Sequence, residues 1–576
     1  MPISKRTALA GGAAVALVVS GIGAATAALP LAAPAAVTPG FTQDRSADLA
    51  KAISTAEPRN VILIIGDGTD DSIITAARNY ELGAAGRFAL DELPFTGEMT
   101  TYGLKTAPDG TRYPINYVSD SAPTASGWST GKKTVDGRIS QGPSSAANIP
   151  GDDYETVLEQ YQAQGKRVGN VSTAEITDAT PAAAASHISQ RGCQGPTDLV
   201  GVCESERKAN GGLGSIGEQL VDHEIDVLLG GGLARFDQPI DAGGSLLDYA
   251  TTTRGYDLVQ DETALAGVTS LADGPVLGLF TTGNMTPRYQ PLVATAVGAG
   301  GNDTTCQPAD RGTQPTLADM TSKAIELLDN SQGFFLQVES AMVDKQEHSA
   351  DICGAVGDVL EMDNALKVAQ AYQATHPDTL IIVTGDHAHS TQIVPNGATS
   401  GKQTATIKTA DGDPMTVAYS TNTVPGSMTH TGSQIRVAAS GPQAANVTGT
   451  IDQTDLFATL LGRTPSTLPG TTPTTPTTPA PATPSVSVAV QKKFTARQAR
   501  KGIQVAVAAT GSTSVSLTLA KGGKVVDTAT LAAGGGVAKL QPGKKKKKKA
   551  KGIYTVTVTA TGAGGTSTGT ASVKVR

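Results

Sequence analysis

Four cysteines in 576 residues include no C-x-x-C pair, so a zinc–thiolate site lacks its usual spacing. Past residue 27 no stretch is long and apolar enough to cross a bilayer, which excludes a transmembrane anchor from the expected mature chain. Histidine is scarce, at seven residues, so any clustering of it carries weight. Acid is nearly missing from the C-terminal part. From residue 484 onward there are 17 Lys plus Arg against one acid, Asp527, which leaves 28 basic and 51 acidic residues for the rest. The net charge of −7 therefore hides +16 in the tail and −23 elsewhere, two electrostatically different bodies on one chain.

What is present at the N-terminus reads as a leader. Lys5 and Arg6 precede the apolar stretch Thr7 to Val19, and Ala25-Thr26-Ala27 is a small-residue cleavage site, the pattern of a secretory signal over residues 1–27. An even cysteine count in an exported chain suggests disulfides, with three connectivities open and sequential pairing the simplest.

The length calls for one large domain plus additions. Residues 28–57 read as an Ala/Pro/Thr-rich arm. From residue 58 short apolar runs alternate with helical segments, which predicts an α/β fold with a mostly parallel sheet flanked by helices. The buried-strand runs are Asn60–Ile65, Arg167–Ser172, Asp226–Leu229, Phe334–Val338 and Thr379–Val383, with helices expected over 154–164 and 358–374. Residues 391–429, rich in Thr, Gly and β-branched residues, predict a β-rich flap at a sheet edge, and 452–461 a closing helix. Residues 464–483 form a Thr/Pro linker. Beyond it, period-two runs separated by glycine-rich turns predict a small basic β-sandwich over 484–576, with an immunoglobulin-like arrangement as one option. Lys544–Lys549 reads either as a solvated hairpin loop or as a patch for polyanions or a cell surface.

The chemistry gathers at strand ends, where open α/β sheets form their sites. The first strand run ends in Asp67, the fourth leads into Glu339, Asp344 and His348, and the fifth ends in Asp386-His387 with His389 beyond. One such aspartate is an ordinary cap. Three strand ends carrying carboxylates, with His348, His387, His389 and His430 nearby, indicate metal binding. Asp and His donors fit zinc with open positions, and a carboxylate and hydroxyl set fits magnesium. Two metals about 4 Å apart would clamp an in-line displacement at phosphorus. Ser121 stands at a helix start, in Ser119-Asp120-Ser121-Ala122-Pro123. Alone, that segment is a helix cap more often than a nucleophile. A metal neighbour removes the need for a histidine base beside it.

These residues closely resemble the bacterial alkaline phosphatases, from about residue 58 to 463. The resemblance is carried by Asp120-Ser121-Ala122 with Thr130-Gly131 and Lys133-Thr134, by Asp178-Ala179-Thr180-Pro181-Ala182-Ala183, and by Phe335–Glu339. Asp344-Lys345-Gln346-Glu347-His348, Thr384–His389 and His430–Gln434 continue it in order. It implies hydrolysis of phosphate monoesters through a phosphoserine on Ser121, with two Zn2+ and one Mg2+ per subunit. Asp344, His348 and His430 would hold one zinc, and Asp67, Asp386 and His387 the other. Asp67 with Thr180 and Glu339 would hold magnesium. Asp178 and Lys345 would act through water on that site and on phosphate, His389 would orient Asp344, and Asp120 would help hold Arg191.

Arg191 is the expected phosphate grip, since a planar guanidinium can bind two oxygens at once; otherwise it is a surface arginine beside a disulfide loop. The resemblance also implies the pairs Cys193–Cys203 and Cys306–Cys353, a homodimer, and a protein that works outside the cytoplasm. The chain departs from the pattern at Asp71, where a glycine is expected; the added carboxylate reads as a cap for the next helix or as extra negative charge. Two rival readings are a phosphodiesterase or sulfatase of the same superfamily, and a surface-binding protein led by its cationic tail.

Overall fold

The computed structural model describes residues 44–107, 110–398, 403–422, 426–462, 483–542 and 551–576. The leader at 1–27, the arm up to residue 43, the linker up to 482 and Lys544–Lys549 lie outside the described residues. The chain divides into two compact units, meeting between Thr471 and Thr472.

The first unit is built on a ten-stranded sheet. In chain order its strands are β1 (Asn60–Gly66), β2 (Phe95–Thr100), β3 (Arg167–Glu175), β4 (Val227–Gly231), β5 (Asp257–Val259), β6 (Val276–Leu279), β7 (Phe334–Ser340), β8 (Thr379–Gly385), β9 (Ile435–Ser440) and β10 (Gly449–Asp452). Their order across the sheet is β10-β2-β9-β8-β1-β7-β3-β4-β6-β5. All pairings are parallel except those of β9 with β8 and β2. The central strands β1, β7 and β8 are buried at every residue. Their unbroken Val, Ile and Leu runs follow from helices covering both faces, and the core divides into one apolar cluster on each side.

Register places the strand ends level. Gly66 pairs with both Ser340 and Gly385, and Glu339 with Ile65 and Ser172. The helices that matter below are α1 (Asp71–Leu82), α2 (Ser121–Thr130), α3 (Val157–Ala163), α4 (Ala179–Ala183), α5 (Ile216–Asp222), α6 (Met342–His348) and α7 (Ile352–Thr375). α7 starts earlier than its apolar pattern suggests, because Asp351 caps it by accepting from the Cys353 N–H at 3.1 Å. Both disulfides, Cys193–Cys203 and Cys306–Cys353, are formed.

The β-rich segment does not extend the main sheet. Gln392–Val394, Gln403–Lys408 and Pro414–Tyr419 form a separate four-stranded sheet that recruits Ala299–Gly300. The expected closing helix over 452–461 is divided into the end of β10, a 3-10 turn at Gln453–Asp455 and a helix at Leu456–Leu460. The second unit has sheets of three and five strands around a core that includes Ile503, Val505, Leu517, Leu519, Val556, Val558 and Val573. Strict inward alternation along Ile503–Ala509 is the half-buried strand pattern of a sandwich.

Candidate active site

Helix α2 is buried along its whole length, and its small residues allow that. A Cβ on Gly127 would meet the Gln453 side chain at 2.7 Å. Asp120 caps the helix, accepting from the N–H groups of Ala122 (2.8 Å) and Gly137 (2.9 Å). Pro123 falls in the first turn, where a missing N–H leaves no gap. The cap points Ser121 at the strand ends, with its Oγ 3.4 Å from Asp67 Oδ1 and 3.3 Å from His387 Nε2.

Asp386 is fixed from the backbone, its Oδ1 accepting from the N–H groups of Gly68 and His387 at 2.8 Å each. Gly68 can approach because its φ is +69°, and a Cβ there would come within 3.0 Å of Asp344. The Thr124 hydroxyl, one turn beyond Ser121, lies 3.3 Å from Asp386 Oδ2 and 2.9 Å from the Ser121 carbonyl. A carbonyl can only accept, so the His387 Nδ1 beside Ala388 O (3.3 Å) carries the ring hydrogen. In the neutral ring the Nε2 lone pair then faces Asp67 Oδ1 (3.4 Å) and Asp386 Oδ2 (3.3 Å).

The same reasoning sorts a second group. Asp344 Oδ1 lies 3.4, 3.2 and 3.3 Å from the Nε2 atoms of His348, His430 and His389. His348 Nδ1 donates to Met428 O and His430 Nδ1 to Ser119 O, so in the neutral rings both Nε2 atoms are lone pairs. His389 differs: its Nδ1 accepts the Ser390 N–H at 2.8 Å, so Nε2 carries the ring hydrogen, with Asp344 Oδ1 3.3 Å away. His389 therefore positions the carboxylate. The His348 side of the site is the open one, with side-chain exposure of 33% for His348 against 0% for His387.

Glu339 takes a short hydrogen bond from Ser172 Oγ, and burial pushes its carboxyl up to about 8. Among the described residues the buried Thr180 hydroxyl makes no regular hydrogen bond, and it lies beside the Glu339 carboxylate. Asp178 receives Lys345 Nζ at 2.5 Å and Arg191 Nη2 at 2.8 Å. Burial opposes its charge, but the two cations hold it well below the usual carboxylate range. Lys345 thus touches Asp178 directly. Arg191 is paired with Asp178, while both Asp120 oxygens are occupied by backbone N–H groups. The expected support from Asp120 is therefore an attraction through space, one of the charges that keep Arg191 ionised against burial.

Asp67, Asp178, Glu339, Asp344 and Asp386 are all buried or nearly so, against two cations, Lys345 and Arg191. Burial lifts Asp67 well above the usual range and Asp386 to about 6. Excess buried carboxylate, a buried hydroxyl with no regular hydrogen bond and converging imidazole lone pairs fit divalent cations among these donors. Two such groups, Asp344/His348/His389/His430 and Asp67/Asp386/His387, have their donor atoms within 4.8 Å of one another.

Asp71 does not cap α1. Asp70 does, accepting from the Ser72 and Ile73 N–H groups at 2.8 and 3.1 Å. Asp71 instead pairs with Arg436 at 2.6 Å, which balances its charge. Thr124, Ser172 and the carbonyls of Ser119 and Met428 were missed from sequence. Only Thr124 carried a signal, one helical turn after Ser121.

A sequence profile of the family described as alkaline phosphatase matches residues 58–426. The alkaline phosphatase of Escherichia coli strain K12 is 45% identical over 432 residues, 73% of this chain and 89% of that protein. Alkaline phosphatase H of Pseudomonas aeruginosa is 44% identical over 430 residues, 73% of this chain and 87% of its own. The alkaline phosphatase structure from the Antarctic bacterium TAB5 shares the fold, with a TM-score of 0.52 at 20% identity over 70% of this chain and 97% of that one.

Proposed function

Since the chain belongs to the alkaline phosphatase family and is an alkaline phosphatase, we propose that it hydrolyses phosphate monoesters through a phosphoserine on Ser121. The Ser121 oxygen attacks phosphorus in line, the bond to the ester oxygen breaks, and the alcohol leaves by the open His348 side. Water then displaces Ser121 and releases inorganic phosphate. Arg191, held by Asp178, grips two non-bridging oxygens. The residues recognise the phosphoryl group and leave the alcohol unspecified, so a broad range of esters is expected.

Asp344, His348 and His430 would hold one zinc ion, Asp67, Asp386 and His387 a second, and Asp67, Thr180 and Glu339 a magnesium ion. When bound, these ions would lower the pKa of the Ser121 hydroxyl and of water and neutralise charge at the departing oxygen. What carries the reading is the tautomer pattern: backbone carbonyls lock His348, His387 and His430 so that their Nε2 lone pairs meet the carboxylates beside Ser121.

Residues 58–463 are read as the catalytic domain and 484–576 as an accessory module whose basic charge suits a polyanion or cell surface. Export rests on the leader at 1–27 and the two disulfides; among the described residues no helix is long and apolar enough to cross a membrane. A homodimer is carried from the resemblance alone.

Acid quenching during turnover of p-nitrophenyl phosphate should trap phosphate on the Ser121 peptide. Ser121→Ala should abolish that adduct and slow turnover on the order of a thousandfold or more; unchanged turnover would rule out the nucleophile.

A further inference from the structure

A third cluster of metal-type side chains stands outside the site described above. Glu159 lies on α3, His187 in the run between α4 and Arg191, and His223 at the end of α5. Their donor atoms are all within 4.8 Å of one another. His187 Nδ1 donates to the Ser140 carbonyl at 3.0 Å, which leaves Nε2, 3.1 Å from Glu159 Oε1, as the nitrogen that either holds a second proton against the carboxylate or, once that proton is displaced, turns its lone pair to an ion. The other Glu159 oxygen is already engaged, accepting the Thr156 N–H at 2.7 Å in a capping box. That leaves Oε1 to face both imidazoles. His223 Nε2 stands 3.7 Å from Oε1, too far for a hydrogen bond.

Ligands bound tetrahedrally at zinc distances sit about 3.3 Å apart, and the two separations bracket that value. Each nearer donor is oriented by a backbone group behind it, the arrangement typical of metal ligands.

We propose that Glu159, His187 and His223 bind a zinc ion at a structural site separate from the catalytic groups. Two imidazoles and one carboxylate are a zinc-type donor set. Side-chain exposure of 21% at Glu159 and 26% at His223, against 7% at His187, leaves one side open to a water ligand and to ion entry. The ion ties together the start of α3, the end of α5 and the run that carries Arg191. Ser140, whose carbonyl holds His187, also donates its N–H to Ser126 Oγ on α2 at 2.8 Å. The site therefore braces the backbone behind both the nucleophile helix and the phosphate grip, and binding of the ion adds to folding stability.

The test compares the full chain with its His223→Gln variant, both saturated with zinc, freed of loose metal and analysed for zinc per chain. The wild type should hold one zinc equivalent more, and added zinc should raise its Tm by an increment the variant lacks. Glu159→Gln, which keeps the side-chain shape, should lose the same equivalent and serves if His223→Gln folds poorly. Equal zinc content with equal zinc-dependent Tm shifts would overturn the site and leave a Glu159–His187 ion pair with His223 as a bystander.

Discussion

His348 and His430 face each other through Nε2 atoms 3.1 Å apart, with each Nδ1 hydrogen given to a backbone carbonyl. Two neutral rings in this state have no proton to share, so the pair is repulsive unless a cation joins them to Asp344. Chelation should therefore abolish phosphatase activity and lower Tm, and zinc should restore both. An unchanged Tm after metal removal would mean that one ring is held protonated instead.

His389 keeps its hydrogen on Nε2, 3.3 Å from Asp344 Oδ1, and offers that carboxylate no lone pair. His389→Phe should weaken zinc retention about 10–100-fold, the usual cost of losing a group that orients a ligand. Zinc binding titrations separate this from outright loss of the site, the result expected of a direct ligand.

Arg191 pairs with Asp178 by one nitrogen, leaving the rest of its fork for phosphate. Arg191→Lys keeps the charge and loses the two-point grip. KM for p-nitrophenyl phosphate should rise by roughly tenfold, and inhibition by inorganic phosphate should weaken in parallel.

Asp71, half exposed and paired with Arg436, is predicted to be electrically quiet at the site. Asp71→Asn should leave kcat/KM within about twofold and cost about 0–1 kcal/mol of stability by denaturant titration, as for other surface ion pairs. A large change in activity would show that its field reaches the metal ligands.

Asp358 offers a pH test at a carboxyl that is not itself a proposed ligand, packed behind the strand end that carries Glu339. Burial lifts its carboxyl from 3.8 to about 6, against hydrogen bonds from Ser340 Oγ (2.6 Å) and the Met342 N–H (2.8 Å). The native state thus holds this proton more tightly than the unfolded chain. Its contribution is fully present below about pH 4 and lost as pH rises through about 6. The Tm advantage of the wild type over Asp358→Asn should shrink over that interval.

The sheet, and most of the residues that meet in the candidate site, were legible because their signals are local. Unbroken apolar runs mark buried parallel strands, and acids directly after them mark one edge of the sheet. Partners set by packing were not legible. Asp120 acts on Arg191 by charge, but its hydrogen bonds go to the backbone N–H groups of Ala122 and Gly137, which the sequence does not show. Asp71 looked like a cap because Asp70 beside it has the same chemistry, and only the chain direction at α1 distinguishes them. Glu159, His187 and His223 belong to three elements with no shared motif, so nothing in their spacing announces that they meet.

The level endings of β1, β7 and β8 make the site a matter of counting. Exchanging one aliphatic residue for another within these strands leaves every ligand at its station. Deleting a single residue from β1 would pull Asp67 back by about 3.3 Å and turn its side chain to the opposite face, out of reach of Ser121 and His387. Length in these three strands should therefore be far less negotiable than composition, and insertions should be accommodated in the loops that follow the ligands.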